Sequence, residues 1–84
     1  EDDQQVKRLP DGAFLVNGKT EVQKLQHVSG LQIPDGPYDT IAGFVMHALG
    51  RIPSEKEEVK IGPMLIQIIR ATKTKIELLK IRVQ

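Results

Sequence analysis

The chain has no cysteine and no tryptophan, and its 84 residues include only two phenylalanines and one tyrosine. Without thiols there can be no disulfide framework and no thiolate metal centre, a composition compatible with a reducing compartment. Long apolar runs are also missing. Stretches such as 14–16 and 64–66 fall far short of the roughly 20 consecutive apolar residues of a transmembrane helix, and no signal-peptide pattern opens the chain. It begins with Glu1, and its first five residues, EDDQQ, carry no apolar group. Residues 1–5 therefore read as a linker or disordered start, residues 6–84 as one domain, and the whole as a piece of something longer. A domain of this length buries only about 60 to 65% of its unfolded surface, so its core is small and its stability modest.

The scarcity of aromatics bears on nucleic acid too. Single-strand binders stack bases on aromatic side chains within a basic groove, and here only Phe14, Tyr38 and Phe44 could serve. The net charge is +1. It is unevenly spread: residues 1–42 hold seven acids against four bases, and residues 43–84 hold four acids against eight bases. This mild basicity implies no nucleic-acid partner. Arg70, Lys73, Lys75, Lys80 and Arg82 suit the solvated face and turn of a hairpin whose edge must be kept from pairing.

What is present is an α+β pattern. Short extended runs at 6–9 and 13–16 flank Pro10-Asp11-Gly12, a tight-turn signal. Thr20 and Gln23 have capping-box spacing, which predicts a helix over 21–29 stopped by Gly30, with Val22, Leu25 and Val28 on its apolar stripe. Residues 31–37, with two prolines and Asp35-Gly36, read as an irregular surface connector. A second helix is capped by Asp39 or Thr40 and ended by Gly50, with Ile41, Phe44, Val45, Ala48 and Leu49 on its core face. Gly43 interrupts that helix at a cost of about 1 kcal/mol relative to alanine, so another backbone should pass close by: the first helix or the N-terminal hairpin, or else a partner. An acidic loop, 54–58, leads into three strands at 59–61, 64–72 and 75–83, with Lys73-Thr74 as the last turn. Met64, Ile66 and Ile68 share one side of their strand. Leu79, Ile81 and Val83 share a face that Ile76 reaches only through a β-bulge near Glu77-Leu78. The result is a small antiparallel sheet with two helices packed on it.

Little here carries chemistry. His27 and His47 lie off the apolar stripes, and neither has a second imidazole or a carboxylate at ligand spacing. No residue is marked as a nucleophile, so no catalytic residue is assigned. Glu55, Glu57 and Glu58 read as a solvated loop rather than a magnesium site. The glycines are too scattered to cradle phosphates or a dinucleotide. No cofactor and no metal are expected.

The run YDTIAGFVMHALGRIP, residues 38–53, is the most specific stretch. With Asp11, Gly12, Val16 and Gly18 before it and Glu58, Val59, Ile61, Gly62, Ile66, Ile68 and Ile76 after it, it resembles the CorC/HlyC-type transporter-associated domain. That module stands at the C-terminal end of CBS-domain proteins linked to magnesium and cobalt efflux and of hemolysin-like proteins. The resemblance implies a fold related to a subdomain of flavin-binding enzymes of the PCMH type. It implies a non-catalytic regulatory or interaction module, with CBS domains of the same chain as partners and a homodimer possible. It also implies membrane association only through other domains, with the module on the cytoplasmic side. A small-ligand domain for flavin or nucleotide is the alternative by fold analogy. The motif positions fall on Asp11, Gly12, Gly18, Tyr38, Asp39, Thr40, Gly43, Gly50 and Pro53, and read as turn, cap and packing residues. Leu65, Ile69 and Leu78 are more apolar than the family's usual pattern, which implies a covered sheet surface.

Overall fold

A computed structural model describes residues 6–83; the linker assigned to residues 1–5 lies outside the described residues. Five strands form one antiparallel sheet in the order β1-β2-β5-β4-β3. They are β1 Val6–Arg8, β2 Phe14–Asn17, β3 Glu58–Ile61, β4 Met64–Ala71 and β5 Ile76–Val83. Two helices, α1 Val22–Ser29 and α2 Ile41–Leu49, lie between β2 and β3 in sequence. Strand alternation sends Val16, Met64, Ile66, Ile68, Leu79 and Ile81 to one side, where they meet Leu25, Ile41, Phe44 and Val45 in a single buried cluster. Among the described residues, the opposite face carries no helix.

The long hairpin β4–β5 is bulged on both strands. Ile68 pairs with Leu79, Arg70 with Leu78, and Ala71 with Ile76. One extra residue thus stands on β4 at Ile69 and one on β5 at Glu77, and the two shifts cancel. The β5 bulge is the one that burial of both Ile76 and Leu79 requires; the matching shift in β4 was not anticipated. Val83, expected on the buried face, is 50% exposed where the sheet ends. The Lys73-Thr74 turn needs no left-handed residue, because the Thr72 hydroxyl accepts from the amides of Thr74 and Lys75 at 3.3 and 3.2 Å.

The first helix departs furthest from expectation. Its N-cap is Glu21, extended and without a side-chain cap, in place of the expected Thr20–Gln23 capping box. The reason is tertiary: Glu21 pairs with Thr40 in an isolated antiparallel bridge, so residue 21 must stay extended. Thr20 is fully buried. Val28, expected on the apolar stripe, is 48% exposed, leaving Val22 and Leu25 as the buried residues of this short helix. The connector that follows is more than a surface strap. Ile33 is buried within it, and its amide donates to Gln26 Oε1 at 2.8 Å. On α2 it is Ala42, not Ala48, that joins Ile41, Phe44 and Val45 in the core.

Candidate functional site

The residues of the 38–53 run and the glycine of the β2 end converge where the two helices begin. The Ile41 amide donates to the carbonyl of Thr20 at 2.9 Å, and the Val22 amide donates to the carbonyl of Asp39 at 2.8 Å. The Ala42 amide donates to the carbonyl of Gly18 at 2.9 Å, while the Gly18 amide reaches Glu77 of β5 at 3.0 Å. Gly18 thereby joins the sheet to the first turn of α2. A β-carbon at this position would stand 2.0 Å from the carbonyl oxygen of Ile76, so only glycine fits.

Thr40 caps α2 by accepting from the Gly43 amide through Oγ1 at 3.1 Å. Gly43 has neither the first helix nor the N-terminal hairpin beside it. A β-carbon there would meet Tyr38 Cβ at 3.2 Å and Thr40 Oγ1 at 3.3 Å, so the close neighbour is the helix's own entry segment. Tyr38 folds back over Gly36, packs edge-on to Phe44 and tilted to His47 with centroids 5.3 and 5.5 Å away, and donates its hydroxyl to the carbonyl of Pro34. The sequence marks Gly36 as part of the irregular connector but not its packing under Tyr38; the signal for that is a glycine two residues before an aromatic that needs its space.

The exit of α2 is held separately. Gly50 takes the left-handed conformation, with φ 76°, and its amide returns to the carbonyl of Met46. Pro53 is fully buried behind it. Arg51 grips Glu57 by donating from Nη1 and Nη2 to its two carboxylate oxygens, and Glu57 Oε1 also accepts from the Ser54 amide at 2.9 Å. The Arg51 guanidinium, followed by the Ser54 amide, pulls the Glu57 carboxyl down to about 2. The acids of this loop are therefore not simply solvated: Glu57 is pinned to Arg51, and Glu55 accepts from the Ala71 amide at 3.2 Å. The pair gave no sequence signal because its partners face each other across an irregular turn. At the other end of the sheet, Asp11 and Gly12 build the β1–β2 turn, Asp11 accepting from the Ala13 amide at 3.0 Å and Gly12 standing at φ 87°. The Ala13 amide and Lys80 hold the Asp11 carboxyl below its ordinary range.

Beside the helix starts lies a cleft of about 540 Å³, lined by Glu21, Gln23, Gln26, Asp35, Tyr38 and Asp39 among others. Three carboxylates at its rim repel phosphate-bearing ligands such as flavin mononucleotide or a nucleotide. Among the described residues, no group of three His, Cys, Asp or Glu side chains is placed to hold a metal ion. His27 and His47 are exposed on separate helices. Also among the described residues, no helix is long and apolar enough to cross a membrane.

Two helices on one face of a five-stranded antiparallel sheet, with a threonine-capped second helix tied to the sheet through a glycine, define a small α+β module. The chain belongs to the CorC_HlyC transporter associated domain family, whose model matches residues 7–84. It is 31% identical over 95% of its length to Hemolysin C of Brachyspira hyodysenteriae, where it spans 32% of that protein. It is 26% identical over 99% of its length to the magnesium and cobalt efflux protein CorC of Vibrio cholerae, spanning 28% of it. The chain thus spans about a third or less of these two curated relatives. Among solved structures, the transporter associated domain of a Xylella fastidiosa hemolysin, in complex with Mg²⁺ and Mn²⁺, aligns with a TM-score of 0.78 at 26% identity. That alignment covers 95% of this chain and 98% of the other, so the same fold stands there as a chain of module size.

Proposed function

We propose that this chain is a non-catalytic regulatory or interaction module of a longer CBS-domain protein that exports magnesium or cobalt, and that it works on the cytoplasmic side of the membrane. The observation that carries this reading is how the family-motif residues are used. Asp11, Gly18, Thr40, Gly43 and Gly50 are tied into turns, caps and close backbone contacts. No set of them converges on a point where a substrate could react. Family membership and the efflux relative support the transport context. The alternative, a flavin or nucleotide domain, is disfavoured at the cleft beside the helix starts by its acidic rim. The Xylella module is seen with Mg²⁺ and Mn²⁺; in this chain the paired use of Glu55 and Glu57 within the fold supports regulation through contacts rather than through a resident ion.

The test is removal of residues 6–84 from the full-length protein, followed by measurement of cobalt and magnesium export from loaded cells. Export should persist with an altered dependence on internal ion concentration. Export unchanged at every ion concentration would overturn the reading.

A further inference from the structure

The helix-free face of the sheet is neither apolar nor evenly charged. Strand pairing places its outward residues in rows. One runs Lys7, Leu15, Lys80, Gln67, Glu58; a second runs Arg82, Leu65, Lys60; a third runs Asn17, Leu78, Arg70. Leu15, Leu65 and Leu78 are only half-buried, and Ile69 at the β4 bulge is 39% exposed. Five cations thus surround a leucine centre whose rows contain one acid, Glu58. A shallow depression on this face is lined by Glu58, Leu65, Gln67, Lys80 and Arg82. Asp11 reaches across from outside the rows, its carboxylate meeting Lys80 Nζ at 3.1 Å. That contact shows the geometry in which a carboxylate is accepted here.

We propose that this face is the docking surface for a protein surface of opposite character, carboxylates around an apolar centre, and that it is the contact through which the module acts; the inference rests on the interaction-module reading above. Charge selects the occupant. A second copy presenting the same face would set five cations, offset only by Glu58 and Asp11, against the same net-positive set, a like-charge juxtaposition that disfavours self-association. A membrane surface matches the charge but not the shape or chemistry. The leucines are recessed in a pleated sheet, and the chain's aromatics, which could anchor at a headgroup layer, are elsewhere: Phe14 and Phe44 in the core, Tyr38 beside α2. The half-buried leucines supply the desolvated centre of an interface, and Lys7, Lys60, Arg70 and Arg82 its charged rim.

Amide and methyl NMR spectra of the isotope-labelled chain test this. The probes are a helical peptide with a leucine stripe flanked by glutamates, the same peptide with lysines for glutamates, and vesicles containing phosphatidylglycerol. The glutamate peptide should shift Leu15, Leu65, Leu78, Lys80 and Arg82, and the other two probes should not. A Lys60→Glu/Arg82→Glu variant, which reverses two rim cations, should bind it at least about tenfold more weakly. Lys19→Glu/Lys73→Glu, which alters exposed cations off this face, should bind as the parent does. Four results each overturn the proposal: shifts at the acidic cleft instead, shifts with vesicles but not peptide, concentration-dependent shifts of the face without any probe, or equal weakening by both variants. The docking inference and the functional reading fail separately. A face that takes the peptide in a module whose deletion leaves export unchanged removes the functional reading alone, and a face that stays silent while deletion alters export removes the docking surface alone.

Discussion

The two helices start side by side at one bridge, Glu21 against Thr40, yet their first turns are secured by different means. In α2 three successive amides have named partners: Ile41 on Thr20, Ala42 on Gly18, and Gly43 on the Thr40 hydroxyl. Two of the three are tertiary and one is local. In α1 the Val22 amide is taken by the backbone of Asp39, and the N-cap side chain of Glu21 makes no cap at all. The residue before each N-cap, Thr20 or Asp39, therefore supplies a carbonyl that secures the other helix, but only α2 adds a side-chain cap and a tie to the sheet. The difference teaches that α2 is the structural centre of the module. α1, with two buried residues, is held mainly by what it leans on.

The comparison breaks most completely at Gly18. Gly18→Ala forces a β-carbon into the Ile76 carbonyl and so parts β2 from β5 and from the first turn of α2. We expect a loss of about 3 kcal/mol, the upper range for overpacking against backbone that cannot yield, read as a lowered urea midpoint or the absence of a cooperative transition. An unchanged midpoint would show that the tie at Gly18 is dispensable. Thr40→Ala removes only the local component, the hydroxyl on the Gly43 amide. It should cost about 1 kcal/mol, and Thr40→Ser should recover most of it.

These differences also explain what could be read from the chain. The start, end and glycine stop of α2 were legible because cap, core face and αL residue all lie within one short run, and so was the parity break that demands a bulge in β5. The start of α1 was not, because the Glu21–Thr40 bridge that fixes it joins positions far apart in sequence. Ile33 was hidden by its setting: prolines and glycines mark an irregular backbone and say nothing of what it covers. The β4 bulge was hidden because Leu65 and Ile69 make the outer face of 64–69 apolar as well, with only Gln67 polar, so no break in alternation marks an extra residue at Ile69. Of the site, the Asp11-Gly12 turn, the Thr40 cap and the Gly50 stop were legible, but neither the acidic cleft nor the Arg51–Glu57 grip was. Both are made by residues that meet only after folding.

A smaller effect distinguishes the two ends of α2. Its start is held by neutral groups, whereas its exit is held by the Arg51–Glu57 pair, so acid should loosen the exit first. The Glu57 carboxyl is lowered from an ordinary 4.5 to about 2 in the fold. A lowered folded value contributes stability that is fully present above 4.5 and is lost as pH falls from there through about 2. The side chains are 54% and 26% exposed, so solvent and salt weaken the contribution. Melting temperature followed through that acid window should fall less steeply in Glu57→Gln than in the parent. Identical slopes would mean that the pair adds nothing to stability.

The smallest expected effect is the most direct test of the asymmetry. Glu21 occupies in α1 the position that Thr40 occupies in α2: each is the extended N-cap, and each faces the other across the bridge. What the bridge uses at Glu21 is backbone, and the carboxylate accepts no capping hydrogen bond. Truncating it leaves the Val22–Asp39 and Ile41–Thr20 bonds in place, because neither involves the side chain. Glu21→Ala should therefore change stability by no more than about 0.5 kcal/mol, as for an exposed position without a named role, where Thr40→Ala costs about twice that. A loss at Glu21 as large as that at Thr40 would show that the two starts are secured alike, and that α1 depends on its N-cap carboxylate through the helix dipole instead of through the backbone it shares with α2.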